Sequence, residues 1–222
     1  MLYTNPDATH SPNIIVGSHS GGANCCYTLH IISFAPSLHK QDIEVYNSDH
    51  IDIQAVAGGG PTLNFLDFSF AFWHSSFADS PAPPISLSWN AMQGRYVLNI
   101  DGMRKPAPSN ATLEEDANRL LKEEIDTQHP WPPTLLWGDM LKYIYSGSSA
   151  SARTLMDTAW QPKWGEKELF STCFSQKLQT GWLWGHLDMA NVMKAAGDFP
   201  KPISVPASCE SLVPKRHLMS RT

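Results

Sequence analysis

A short run of β-branched residues, Asn13-Ile14-Ile15-Val16, leads directly into Gly17-Ser18-His19-Ser20-Gly21-Gly22. This stretch constrains the fold more than any other in the chain. Branched side chains favour a buried strand, and the small residues behind them predict a sharp turn. From Ala23 onward, Ala23, Tyr27, His30 and Ile31 share one side at helical spacing. Strand, tight turn with a central serine, then helix is the setting that presents a serine hydroxyl as a nucleophile. Ser20 is the candidate nucleophile at the tip of the turn. Ser18 and Gly22 flank it where the strand and helix backbones approach closely, so both must be small. The plain alternative is a flexible loop, because such small-residue stretches are common.

Pro36 ends the expected helix, and a polar connection from Lys40 to Asp49 follows. The segment His50 to Ala57 then has the alternation of a strand and closes in Gly58-Gly59-Gly60-Pro61. Two strands separated by a helix predict a right-handed β-α-β crossover in a parallel sheet. Phe65, Phe68, Phe70, Phe72, Trp73 and Phe77 form an aromatic stretch, which suits core packing or an apolar wall for a ligand. Gly94 to Ile100 reads as a strand or as the start of a helix.

Thr112-Leu113-Glu114-Glu115 has the form of a capping box. Leu113, Ala117, Leu120, Leu121 and Ile125 then mark one face of a helix. A second helix is expected over Leu135 to Tyr145 and a serine-rich loop over Ser146 to Ser151. Trp160, Trp164, Trp182 and Trp184 crowd the region beyond. Residues 85–197 therefore read as a mainly helical insertion, either a cap over an apolar site or a packed subdomain. The end of the chain, from Phe199 to Pro214, reads as a proline-bordered strand and a loop carrying Glu210.

Composition narrows the function classes. A chain of 222 residues, 42% hydrophobic and 17% charged, suits one globular domain. A net charge of −5 without a Lys/Arg cluster argues against a nucleic-acid partner. No apolar run reaches the length of a membrane span, and no signal peptide is visible. Nine histidines show no metal-ligand spacing, so no metal is assigned, and no cofactor is expected. Cys25 and Cys26 fall in the expected helix. Cys173 and Cys209 pair only if the fold brings them together.

Taken together, Ser18-His19-Ser20-Gly21-Gly22, Phe34-Ala35-Pro36-Ser37-Leu38, Ala57-Gly58-Gly59-Gly60-Pro61 and Ala207-Ser208-Cys209-Glu210-Ser211-Leu212-Val213-Pro214 resemble the secretory lipase family of α/β-hydrolases. The resemblance implies an α/β fold, a partial α/β-hydrolase parallel sheet with a mainly helical cap or lid. It implies one domain over 1–222, with a nucleophile-elbow part at 1–84, the lid at 85–197 and an acid-loop strand and tail at 198–222. The match corresponds to a truncated member without the N-terminal strands and the C-terminal histidine segment.

On that pairing Ser20 falls on the nucleophile, Glu210 on the triad acid and Gly21 on an oxyanion donor. His217, the one histidine after Glu210, and His186, in the tryptophan-rich segment, are the candidates for the base. The implied activity is that of a serine hydrolase of the lipase or esterase type, cleaving small apolar esters or lipids. The family is secreted, which leaves the compartment of a chain without a visible leader open. The alternative is a catalytically inactive lipase-like fragment or an apolar-ligand binding protein.

Overall fold

The computed structural model describes residues 2–4, 14–22, 25–34, 37–48, 50–56, 60–123 and 131–209. The described residues run through eight strands and then seven α-helices, an order that separates β from α. β1 (Leu2–Thr4), β2 (Ile14–Gly22), β3 (Cys25–Ser33) and β4 (His39–Tyr46) pair in sequence as one sheet, and every pairing is antiparallel. β5 (Asp52–Gln54), β6 (Thr62–Leu66), β7 (Pro84–Asn90) and β8 (Arg95–Leu98) form a second antiparallel sheet, again in chain order.

The expected parallel α/β-hydrolase sheet is therefore corrected to two antiparallel meanders. The error lies in the period assigned to residues 25–33. Leu29, Ile31 and Ser33 point inward while Thr28, His30 and Ile32 are only partly covered, a period of two. With Thr28, Ile31 and Ile32 all β-branched, this segment pairs with β2 as a hairpin. Gly21, at φ +84°, adopts the left-handed backbone that such a reversal uses. Likewise the segment expected as a second parallel strand contributes only β5, antiparallel to β6.

Inward side chains from both sheets join one core. Ile15, Leu29, Ile31, Ile43 and Val45 come from the first, and Leu63, Phe65, Ile85, Leu87 and Tyr96 from the second. The Gln41 side chain ties the two sheets together: its amide donates to the Tyr96 carbonyl at 3.1 Å and its oxygen accepts from Tyr96 N–H at 2.7 Å. Both readings of Gly94 to Ile100 are realised, since β8 ends at Leu98 and a helical turn, α1 (Ile100–Met103), follows.

The helices are α2 (Asn110–Leu120), α3 (Thr134–Tyr145), α4 (Ser149–Ala159), α5 (Lys167–Thr180), α6 (Trp182–His186) and α7 (Met189–Val192). α2 buries Leu113, Ala117 and Leu120, three of the apolar positions expected from the sequence. Its cap is different, however: Ser109 Oγ accepts from Thr112 N–H at 3.1 Å, so the helix starts before Thr112. Of the serine run expected as a loop, Ser146 to Ser148 is a turn, while Ser149 to Ser151 opens α4. α2 and α3 both pack on α4. Residues 85–197 thus begin with two strands of the second sheet and continue as helices sharing the common core.

The aromatic stretch serves both expected roles in part: Phe65, Phe70 and Trp73 are buried in the core, Phe65 and Phe68 also face a cavity, and Phe72 is exposed. Trp73 meets Phe70, Trp131 and Trp137 edge-on, with ring centroids 5.2, 5.6 and 5.4 Å apart. Residues 198–209 form no strand; Pro200, Pro202 and Pro206 lack the N–H a ladder needs. A 3-10 turn at Ala207–Cys209 is instead fastened to α5 by a disulfide between Cys209 and Cys173.

Candidate functional site

Ser20 and Gly21 lie near the end of β2, where the chain turns into another strand and not into a helix. Ser20 is exposed, and its Oγ accepts a hydrogen bond from Cys26 N–H at 2.8 Å. The setting that would make Ser20 the tip of a nucleophile elbow is absent. Glu210 and His217 lie outside the described residues, as does the side chain of His186 at the end of α6. The site anticipated from the sequence is therefore not assembled among the described residues.

A different serine is placed in a chain of hydrogen bonds. Ile15, Leu29 and Ile43 turn one face of the first sheet inward, which sends Ser18, His30 and Asp42 to the other. His30 stands directly opposite Asp42, and Ser18 lies two residues along β2 from Val16, the residue paired with His30. Diagonal neighbours at that spacing are within reach of a side chain as long as histidine. Ser18 Oγ lies 2.8 Å from His30 Nε2, and His30 Nδ1 lies 2.8 Å from Asp42 Oδ1.

Lys40 Nζ donates to the other Asp42 oxygen at 2.9 Å. Partial burial pushes the Asp42 carboxyl upward, but the His30 hydrogen bond and the Lys40 ammonium outweigh it. The net result is a carboxyl held below its ordinary value of 3.8. Nothing in the sequence pairs these residues until the two registers among β2, β3 and β4 are known. The available signal was the alternation of residues 25–33, which places His30 on the outward face once it is read with period two.

The second feature is a cavity of about 570 Å³ between the second sheet, α1 and α3. Phe65, Leu66, Phe68, Ile85 and Met103 supply much of its wall. The hydroxyls lining it are already engaged. Ser48 Oγ donates to the His50 carbonyl, Ser146 Oγ donates to the Tyr143 carbonyl, and Ser86 Oγ accepts from Asn99 Nδ2. Tyr145 donates its hydroxyl proton to Asp67 and accepts from Trp184 Nε1 at 2.9 Å, so its ring is what it offers the cavity.

Two lysines, Lys105 and Lys142, complete the lining, and no carboxylate is among the lining residues. Among the described residues neither lysine makes an ion pair. In a chain of net charge −5, a carbon-lined space bordered by two cations and no carboxylate is a local reversal of sign, although Lys142 Nζ also lies over the Tyr143 ring, 5.7 Å from its centroid. Among the described residues no group of three or more His, Cys, Asp or Glu could hold a metal ion. No described helix is long and apolar enough to cross a membrane.

Comparison with protein-family models, with curated proteins and with solved structures finds no match for this chain. The resemblance to the secretory lipases rests on its sequence motifs alone, and the antiparallel sheets do not supply the fold it implies.

Proposed function

We propose that the protein binds a small anionic amphiphile, an apolar body with a carboxylate or similar end, in the cavity between the second sheet and α3. One observation carries this reading: a cavity of about 570 Å³ whose wall is largely carbon, with Lys105 and Lys142 as its charged lining groups. Its volume lies within the range of small-molecule sites. The apolar body supplies affinity by leaving water, and the lysines select the end of opposite charge. Asn64 also lines the cavity, and its side-chain amide makes no hydrogen bond among the described residues, which suits it to fix the orientation of a polar end. Binding is favoured over catalysis in this cavity because no lining hydroxyl is bonded to an imidazole among the described residues.

A dansyl-labelled fatty acid titrated into the protein reports occupancy by its fluorescence. Decanoate should displace it in a saturable way, and decanol should do so more weakly. Replacing both cations (Lys105→Gln with Lys142→Gln) should weaken decanoate roughly tenfold, equivalent to ~1.4 kcal/mol from two partly screened charge contacts. Decanol should be unaffected. Equal displacement by decanoate and decanol, or no saturable binding by folded protein, would overturn the reading.

A further inference from the structure

We infer that Ser18 is an acyl-accepting nucleophile, with His30 as its general base and Asp42 as the carboxylate that orients the imidazole. This rests on the outward face of the first sheet and is independent of ligand binding in the cavity.

The connectivity is specific at the level of atoms. An ionised carboxylate can only accept hydrogen bonds, so the neutral His30 ring must carry its proton on Nδ1 to satisfy the 2.8 Å contact with Asp42 Oδ1. Nε2 is then a lone pair, and Ser18 Oγ at 2.8 Å must donate to it. That is the arrangement in which an imidazole can take a serine proton while the carboxylate stabilises the imidazolium that forms. Reversing the ring would put Nε2–H against the serine oxygen and leave a bare nitrogen facing the carboxylate.

The reaction follows from this order. As Ser18 Oγ bonds to an acyl carbon, its proton passes to His30 Nε2. The carbon–oxygen or carbon–sulfur bond to the leaving group breaks, and the leaving group departs with the bonding pair and takes a proton from His30 or water. Water then attacks the acyl-serine, His30 accepts its proton and returns it to Ser18 Oγ, and the carboxylic acid is released.

The surroundings define the substrate class. Ser18 lies in a strand, inside the ladder opposite Thr28, and not at a helix N-terminus, where free N–H groups collect. A developing oxyanion is thus left to water, without the donors that usually contribute most to acyl transfer. The acyl donors served are activated esters and thioesters, whose leaving groups carry negative charge unaided. Amides fall outside its range.

The test is acetylation of the full-length protein by p-nitrophenyl acetate, located by peptide mass spectrometry. Acetyl should accumulate at Ser18 ahead of Ser20 and Thr28, the neighbouring hydroxyls of the same hairpin, which serve as internal controls. His30→Gln should slow it by roughly 10²–10⁴-fold, the usual contribution of a positioned base. Asp42→Asn should slow it as well, since a neutral amide no longer stabilises the imidazolium, and Asp42→Glu, which keeps a carboxylate within reach of Nδ1, should recover part of the rate. Lys40 and Glu44 are the other charged side chains on the outward face of β4, so Glu44→Gln serves as the electrostatic control and should leave the rate within about twofold. Circular dichroism confirms folding of each variant. Equal labelling of Ser18 and Ser20, or labelling indifferent to His30, would reduce the three residues to a cross-strand ladder and overturn the inference.

Discussion

His30 and Asp42 face one another across the β3–β4 ladder, and the carboxylate determines which ring nitrogen carries the proton. The consequence reaches Ser18 on the next strand, whose hydroxyl must donate to the remaining lone pair. A contact that ordinarily stabilises a sheet by a few tenths of a kcal/mol to about 1 kcal/mol here also sets a proton order.

Ser20 should be dispensable. Ser20→Ala removes an acceptor for Cys26 N–H at an exposed position, where water can replace it. Fluorophosphonate labelling of the variant should equal that of the parent, and urea unfolding should shift by no more than about 1 kcal/mol. Complete loss of labelling in Ser20→Ala would return the nucleophile to the position first expected.

Asp67 should make stability fall as pH rises. It is 1% exposed, and burial pushes its carboxyl above 3.8 despite hydrogen bonds from Tyr145 and Ser69. The unfolded chain therefore loses this proton first as pH climbs past about 3.8, and the folded state loses relative stability until its own raised value is passed. Asp67→Asn removes this dependence. Urea unfolding at one pH below 3.8 and one near neutrality should show the variant gaining on the parent at the higher pH. A constant difference between the two would contradict the sign.

The Cys173–Cys209 disulfide closes a loop with a sequence separation of 36. In the chain-entropy account such a link stabilises by about 2–4 kcal/mol. The paired substitution (Cys173→Ala with Cys209→Ala) should lower the unfolding free energy by that amount and loosen the 3-10 turn from α5. Since Cys173 is 0% and Cys209 4% exposed, reduction by dithiothreitol should be slow unless mild denaturant is present. Fast reduction in native buffer would show that the turn opens on its own.

Ser109, not Thr112, should govern the start of α2. Ser109→Ala removes the side-chain acceptor for Thr112 N–H and should cost about 1 kcal/mol. Thr112→Ala keeps the backbone donor and loses only an exposed hydroxyl contact, so thermal unfolding should show the smaller shift for that variant.

Much of the helical half was legible in the residues. Leu113, Ala117 and Leu120 carry a helical period that packing preserves, and Leu135 to Tyr145 lies within α3. The strand half misled because Ala23, Tyr27, His30 and Ile31 match a helical side while Leu29, Ile31 and Ser33 match a strand face. Over so short an apolar run both periods find support. Once the helix was assumed, Gly17 to Gly22 took the form of an elbow, and the parallel sheet followed from it.

The sequence by itself determined where chain reversals and helices are favoured, which residues prefer the interior, and that four cysteines had thiols to pair. Those are local properties, set by side-chain shape and backbone preference within a few residues. Only the tertiary structure decided that Ser18, His30 and Asp42, each twelve residues from the next, meet on one face. Register between strands depends on the whole core, because a slip of one residue sends every inward side chain outward. Burial of Ile15, Leu29 and Ile43 selected the register, and the polar chain on the opposite face came with it.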